Sequence, residues 1–418
     1  MEILPLSLEE AILRARAFSP RLGQLRFLEE GAEAGLKGAR AERLPQVDLS
    51  ASYTRLSDIT VLSMPLPPPE GSQTINPNIP DNYAARLGVT LPLYTGGRVP
   101  SLITAADRER EAAEKDLDTG SQDLVLETSA DYWNLVTTLE NGRVLREALA
   151  AYDSHLRDAT RREEFGMAAK NEVLAVQVER DRAELALLRA SNATEVIRSD
   201  LVRILGLPQG TRVEPTTLLD HREPPAGELL PLLQEALSSR PERAALKART
   251  EAADARIRAA RSDRLPQARL SAGYDYQNPN RRILPYSAEW EETWDASVTL
   301  AFRVFDGGRT AASVAQRTAQ AEALRKQLEE IDRRIEFEVT RRFLDLQSAS
   351  AAVDVAERSL ESARENRRVA SDRYRAGLIP SSELLDAEVA LLRTALERTE
   401  ALASHRLALT ALHRAIGR

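Results

Sequence analysis

The 418-residue chain contains no cysteine. A disulfide framework, a thiolate metal site, a thiol nucleophile and a lipid-modified N-terminal cysteine are therefore excluded for the chain as given. No run approaches the roughly 18 apolar residues that a membrane-crossing helix needs. Positive charge is not in excess: 57 Lys and Arg face 64 Asp and Glu, for a net charge of -7. Arg far outnumbers Lys but alternates with Glu and Asp along helical stretches, as on a solvated, salt-bridged face. That pattern lacks the clustered basic patch of a nucleic-acid binder. The opening Met1-Glu2-Ile3-Leu4-Pro5 shows neither the basic nor the apolar region of a secretory leader. Either the protein is cytosolic or a leader has been removed.

Catalytic and metal-binding patterns are also missing. His155, His221, His405 and His413 are scattered. His405 and His413 are eight apart, whereas one metal on a helix needs a spacing of i, i+4. All four are expected at the surface. Neither Gly-Gly-Arg turn continues into the Gly-Lys-Ser/Thr of a phosphate loop, and no Ser/His/Asp constellation is discernible. The expectation is a protein without enzymatic activity, metal or cofactor.

Glycine and proline are absent from Arg309 to Ala376. A stretch of that length, rich in Ala, Leu, Arg, Glu and Gln, predicts one helix of roughly 100 Å at 1.5 Å per residue. The matching stretch near Val99–Phe165 holds Pro100 in its first turn, where proline is tolerated, and Gly120 and Gly142 inside. Gly166 and Gly377 follow the two long helices and fit left-handed C-terminal caps. A second helix follows each, which makes two helical hairpins with tight tips. Leu384, Leu391, Leu402, Leu409 and Ile416 fall at the spacing of a coiled-coil seam.

Four segments alternate in polarity. Val47, Leu49, Ala51 and Tyr53 oppose Asp48, Ser50 and Ser52; Leu87, Val89 and Leu91 oppose Arg86 and Thr90. Later, Ala268, Leu270, Ala272 and Tyr274 oppose Arg269, Ser271 and Asp275; Trp294, Ala296, Val298 and Leu300 oppose Asp295, Ser297 and Thr299. About half of the aromatic residues lie in these two strand pairs, including Tyr94, Tyr286, Trp290 and Trp294. Alternating segments of about 10 residues with aromatic ends are the pattern of an outer-membrane β-barrel; a soluble half-buried sheet shares the alternation. The loop near Ile59–Asp81 holds Pro65, Pro67, Pro68, Pro69, Pro77 and Pro80 and is neither strand nor helix throughout.

The second half of the chain repeats the first. Leu44-Pro45-Gln46 matches Leu265-Pro266-Gln267, Tyr94-Thr95-Gly96-Gly97-Arg98 matches Phe305-Asp306-Gly307-Gly308-Arg309, and Gly166-Met167 matches Gly377-Leu378, all offset by about 210 to 220 positions. The first repeat covers 1–206, with helices over 7–43, strands over 46–58 and 82–94, and helices over 99–165 and 170–205. A linker over 207–228 carries Pro208, Pro215, Pro224 and Pro225. The second repeat covers 229–418, with helices over 229–264, strands over 267–277 and 292–305, and helices over 309–376 and 381–416. Four strands cannot close a barrel, and bare edges cannot sit in hydrocarbon. If these strands span a membrane, several copies pool them, and the attached helices continue the barrel as a tube.

The duplicated Leu-Pro-Gln strand starts, the Gly-Gly-Arg turns and Arg373-Tyr374-Arg375-Ala376-Gly377-Leu378-Ile379-Pro380-Ser381-Ser382-Glu383-Leu384-Leu385-Asp386-Ala387-Glu388 resemble the TolC family of outer-membrane efflux proteins over almost the whole chain. The resemblance implies a mainly α protein with membrane β-structure: a homotrimer whose 12-stranded β-barrel continues into a 12-helix α-barrel, with the 207–228 linker in an equatorial belt. It places the chain in the bacterial outer membrane and its lipid, extending into the periplasm after loss of a leader. It also implies a passive channel of an efflux pump or type I secretion system, partnered by a periplasmic adaptor and an inner-membrane transporter. Nucleic acid is not an expected partner. The alternative reading is a soluble coiled-coil structural or adaptor protein with β-hairpin inserts.

Candidate sites follow from that resemblance. Glu383 and Asp386, at i, i+3 on one helix face, match the acids of the family's periplasmic constriction; Glu172 and Tyr374 match positions that tie neighbouring coils closed. A basic gate residue of some members corresponds here to Ile379, followed by Pro380, which puts the salt-bridge lock in doubt. Gly166, Met167, Gly377 and Leu378 are the implied adaptor-contact tips. Asp48, Arg86, Arg269, Asp275 and Arg303 form the polar set expected to face the lumen.

Overall fold

The computed structural model describes residues 3–65, 72–219 and 227–418. Pro67, Pro68, Pro69, His221, Pro224 and Pro225 lie outside the described residues. In chain order the elements are β1 (Ile3–Leu6), α1 (Leu8–Phe18), α2 (Pro20–Ala41), β2 (Gln46–Arg55), β3 (Leu62–Pro65), β4 (Ser72–Asn76), β5 (Asp81–Tyr94), α3 (Arg98–Glu164), α4 (Lys170–Ile204), β6 (Arg212–Pro215), α5 (Leu229–Ser239), α6 (Pro241–Arg261), β7 (Gln267–Asn278), β8 (Glu291–Ala301), α7 (Arg309–Arg375) and α8 (Ser381–Ala415). The two longest helices, α3 and α7, have 67 residues each. No helix among the described residues is long and apolar enough to cross a membrane.

The chain divides into two compact units. One contains residues 29–113 and 246–327, less the undescribed positions, including a four-stranded antiparallel sheet in the order β2-β5-β7-β8. The two repeats meet in its middle, at β5 and β7. Register carries the alternation of each strand across all four. Leu49, Leu87, Tyr274 and Trp294 form one apolar row, and Val47, Val89, Ala272 and Ala296 another. Between them, on the opposite face, runs Asp48, Gly88, Gly273 and Asp295. Tyr53 and Tyr83 pack with ring centroids 5.1 Å apart, and Tyr276 stacks on Trp290 at 4.8 Å, both near the loop end of the sheet. Among the described residues, β2 and β8 each have one neighbour only.

The turns that join sheet to helix are alike in both repeats. Gly96 and Gly97 have φ of 63° and 85°, Gly307 and Gly308 65° and 84°. A Cβ on Gly96 would stand 2.8 Å from the Ser262 carbonyl oxygen, so the turn needs glycine for both conformation and room. The side chain before each glycine pair caps the following helix. The Val99 N–H donates to Thr95 Oγ1 at 3.2 Å, and the Gly308 and Thr310 N–H groups donate to Asp306 at 2.9 and 2.8 Å. Hydrogen bonds from Thr310, its side chain first and then its backbone N–H, together with the Gly308 N–H, hold the Asp306 carboxyl down at about 2.

The other unit contains residues 3–28, 114–245 and 328–418, less the undescribed positions. Its main core gathers Tyr132, Leu135, Leu201, Leu205, Val213 and Leu402. Here β1 pairs in parallel with β6, so the 207–228 linker contributes one strand of a two-stranded sheet, which the prolines of that segment gave no reason to expect. The fully buried Tyr132 hydroxyl donates to the Leu6 carbonyl at 2.9 Å and accepts from the Thr217 N–H at 3.0 Å, pinning this pair to α3. Two further departures concern strands: β2 ends at Arg55 rather than 58, and β8 at Ala301 rather than 305. The proline-rich loop, expected to be neither strand nor helix throughout, holds one short antiparallel pair, β3 with β4.

Candidate functional site

The tips of both hairpins are built the same way. Gly166 and Gly377 have φ of 71° and 74°. The Met167 N–H donates to the Arg162 carbonyl at 2.7 Å and that of Leu378 to Arg373 at 2.9 Å, closing each long helix with a left-handed cap. In such a cap the residue after the glycine often packs back on its helix. Here Met167 and Leu378 instead remain 70% and 69% exposed, and Phe165, just before Gly166, is 77% exposed. Two five-residue turns, 165–169 and 376–380, thus present bare apolar side chains.

Glu383 and Asp386 are both exposed on the first two turns of α8. Glu172, in the first turn of α4, accepts from the Ser381 N–H at 3.3 Å. An acid at a helix N-terminus satisfies an orphan donor and the positive end of the dipole. Arg162 makes the complementary tie: its Nη2 donates to the Tyr374 carbonyl at 2.9 Å, and its guanidinium lies 4.1 Å from the centre of the Tyr374 ring. Glu172 and Tyr374 therefore join the two hairpins, but through a backbone N–H and a backbone carbonyl rather than through the tyrosine hydroxyl. That hydroxyl is buried without a well-formed hydrogen bond, and burial pushes it above the ordinary tyrosine range. Ile379 packs into an apolar cluster with Tyr374, Ala370, Leu384 and Ala387.

Two expectations about histidine are overturned. His155 and His405 are buried, not at the surface; His413 is exposed. His155 also completes a set of residues that the sequence alone did not reveal. Its Nδ1 lies 2.9 Å from Glu388 Oε2 and its Nε2 2.9 Å from Ser381 Oγ. The signal was present: Tyr152, His155 and Ala159 share the i, i+3, i+7 stripe that α3 buries. Its partners, 226 and 233 positions away, left no local trace. Among the described residues no group of three or more His, Asp or Glu is arranged to hold a metal.

On the polar face of the sheet, Arg86 reaches Asp275 at 2.5 Å and Asp295 at 2.9 Å. Asp48 and Arg269 occupy the same face by register and are exposed. Arg303 lies beyond the end of β8, so it is not a strand residue: the alternation ran on, but pairing with β7 stops at Ala301.

Residues 11–207 and 232–418 match the family described as outer membrane efflux protein. The chain is 27% identical over 396 residues to Protein CyaE of Bordetella pertussis, covering 92% of this chain and 78% of that protein. It is 23% identical over 313 residues to outer membrane protein TolC of Vibrio cholerae, covering 73% and 66%. Among solved structures, the outer membrane protein VceC of Vibrio cholerae matches with a TM-score of 0.81 at 20% identity, over 98% of this chain and 96% of that one.

Proposed function

Because the chain belongs to the outer membrane efflux protein family, we propose that three copies pool their four-stranded sheets into one twelve-stranded barrel in the outer membrane. The helices then continue it as a passive duct through the periplasm, serving an efflux pump or a type I secretion system. One observation carries this reading: a sheet with continuous apolar rows on one face and two unpaired borders, β2 and β8. Such borders cannot face hydrocarbon alone. An exposed apolar row on α4, formed by Leu174, Val178, Leu185, Leu188 and Val196, offers a coiled-coil surface to the next copy. A soluble coiled-coil protein gives no reason for the rows that cross all four strands.

Glu383 and Asp386 would form two acidic rings near the three-fold axis and set the periplasmic gate. Rings of like charge select ions and resist passage. Glu172 and Tyr374 support the gate by tying the hairpins. Met167 and Leu378, beside Gly166 and Gly377, are the contact points for a periplasmic adaptor, which links the duct to an inner-membrane transporter. Asp48, Arg86, Arg269 and Asp275 would face the water-filled bore. The test is a planar-bilayer recording of the purified trimer. Glu383→Ala with Asp386→Ala raises conductance and weakens cation preference; an unchanged current in that variant removes the gate assignment.

A further inference from the structure

One buried polar set joins side chains that the gate as described above does not use, touching it only through the Ser381 N–H that Glu172 accepts from. His155 on α3 is 3% exposed, Ser381 1% and Glu388 7%. Ser381 and Glu388 are seven residues apart on α8, two helical turns along one face. The imidazole reaches both, one ring nitrogen to each, at 2.9 Å. Tyr374 stands edge-on to it with ring centroids 5.3 Å apart, and Arg367 approaches the other Glu388 oxygen at 4.0 Å. A helix held at two points two turns apart cannot turn about its own axis. Glu383 and Asp386 lie between those two points in sequence and are exposed.

We infer that His155 is a positioning residue of the gate: by gripping Ser381 and Glu388 together it fixes the rotation of the first two turns of α8, and so the direction in which Glu383 and Asp386 point. The inference rests on the gate reading proposed above. It also accounts for Ile379, a position without charge: the hold on α8 comes from a buried imidazole on α3 rather than from a basic residue beside the acids. A carboxylate offers only acceptors, so Nδ1 donates to Glu388, while the Ser381 hydroxyl serves Nε2 as donor or acceptor. The grip is therefore directional, and a side chain that merely fills the space does not reproduce it.

The experiment compares His155→Ala, His155→Leu, His155→Asn and Ser381→Ala in the full-length trimer by bilayer conductance, with heat-lability of the trimer measured alongside. Asn keeps a donor near the Nδ1 position; Leu fills the cavity and keeps none. The expected result is a severalfold rise in conductance for Ala and Leu at position 155 and a smaller rise for Ser381→Ala. His155→Asn returns toward the wild-type current, and trimers persist throughout. Wild-type current in both Ser381→Ala and His155→Ala, or closure by Leu equal to that by Asn, overturns the inference. The Glu383→Ala, Asp386→Ala variant is recorded in the same series. If it responds while the His155 variants stay silent, the grip alone is refuted; if it too is silent, the gate falls and the grip with it.

Discussion

Gly273 lies beneath the guanidinium of Arg86: a Cβ at Gly273 would stand 2.2 Å from Arg86 Nη2. The missing side chain is what lets an arginine on β5 lie across β7 and reach Asp275 and Asp295 together. Gly273→Ala is expected to leave the sheet intact, because the obstructed atom is the movable end of a long side chain. It displaces Arg86 and frees two carboxylates. Reversal-potential measurements should then show stronger cation preference, and Arg86→Ala should match it. An unaltered reversal potential in both variants would remove these residues from the bore.

Met167 and Leu378 predict a separation between channel and pump. With both changed to Asp, efflux by the assembled machine should be lost, while the isolated trimer keeps its wild-type conductance. Full drug or substrate efflux in cells carrying the double variant would rule out adaptor contact at the tips.

Tyr132→Phe removes the hydroxyl that pins β1 and β6. The Leu6 carbonyl keeps a bond from the Thr216 N–H at 3.0 Å, so the loss falls on the Thr217 N–H. The expected cost is about 1 kcal/mol, the lower end for an orphaned donor, because Thr217 is only partly buried. Thermal unfolding should move down by about 1 °C with conductance unchanged.

Asp306 gives a prediction about acid. Its carboxyl is held down at about 2 in the folded chain, against about 3.9 for a free aspartate. A depressed value contributes stability above the unfolded value and loses it as pH falls through the folded one. The difference in melting temperature between wild type and Asp306→Ala should therefore be constant above about pH 5 and shrink between about pH 4 and about pH 2. A difference that stays constant to pH 2 would show that the cap does not depend on the charge.

Much of the architecture is legible in the sequence because its patterns are long. Alternation from Val47 to Tyr53, and again from Trp294 to Leu300, reports one face of each strand directly, and an unbroken run from Arg309 to Ala376 admits only a helix. β1 and β6 are different. Each is four residues long, and Ile3 pairs with Arg212, so neither periodicity nor neighbourhood announces them. The same holds at the tip. Glu383 and Asp386 are visible as a local spacing, whereas Glu172 meets Ser381, and His155 meets Glu388, only because the two repeats fold against each other. Pairings across a duplication leave no mark in either copy alone.

The bare borders of β2 and β8 have a consequence for the cell as well as for the pore. A newly exported chain carries two templates for indiscriminate strand addition until its sisters cover them, so assembly competes with aggregation from the outset. One damaged copy is enough to leave a seam that never seals. A proline placed in either border strand should therefore poison wild-type subunits made in the same cell, and do so in proportion to its dosage.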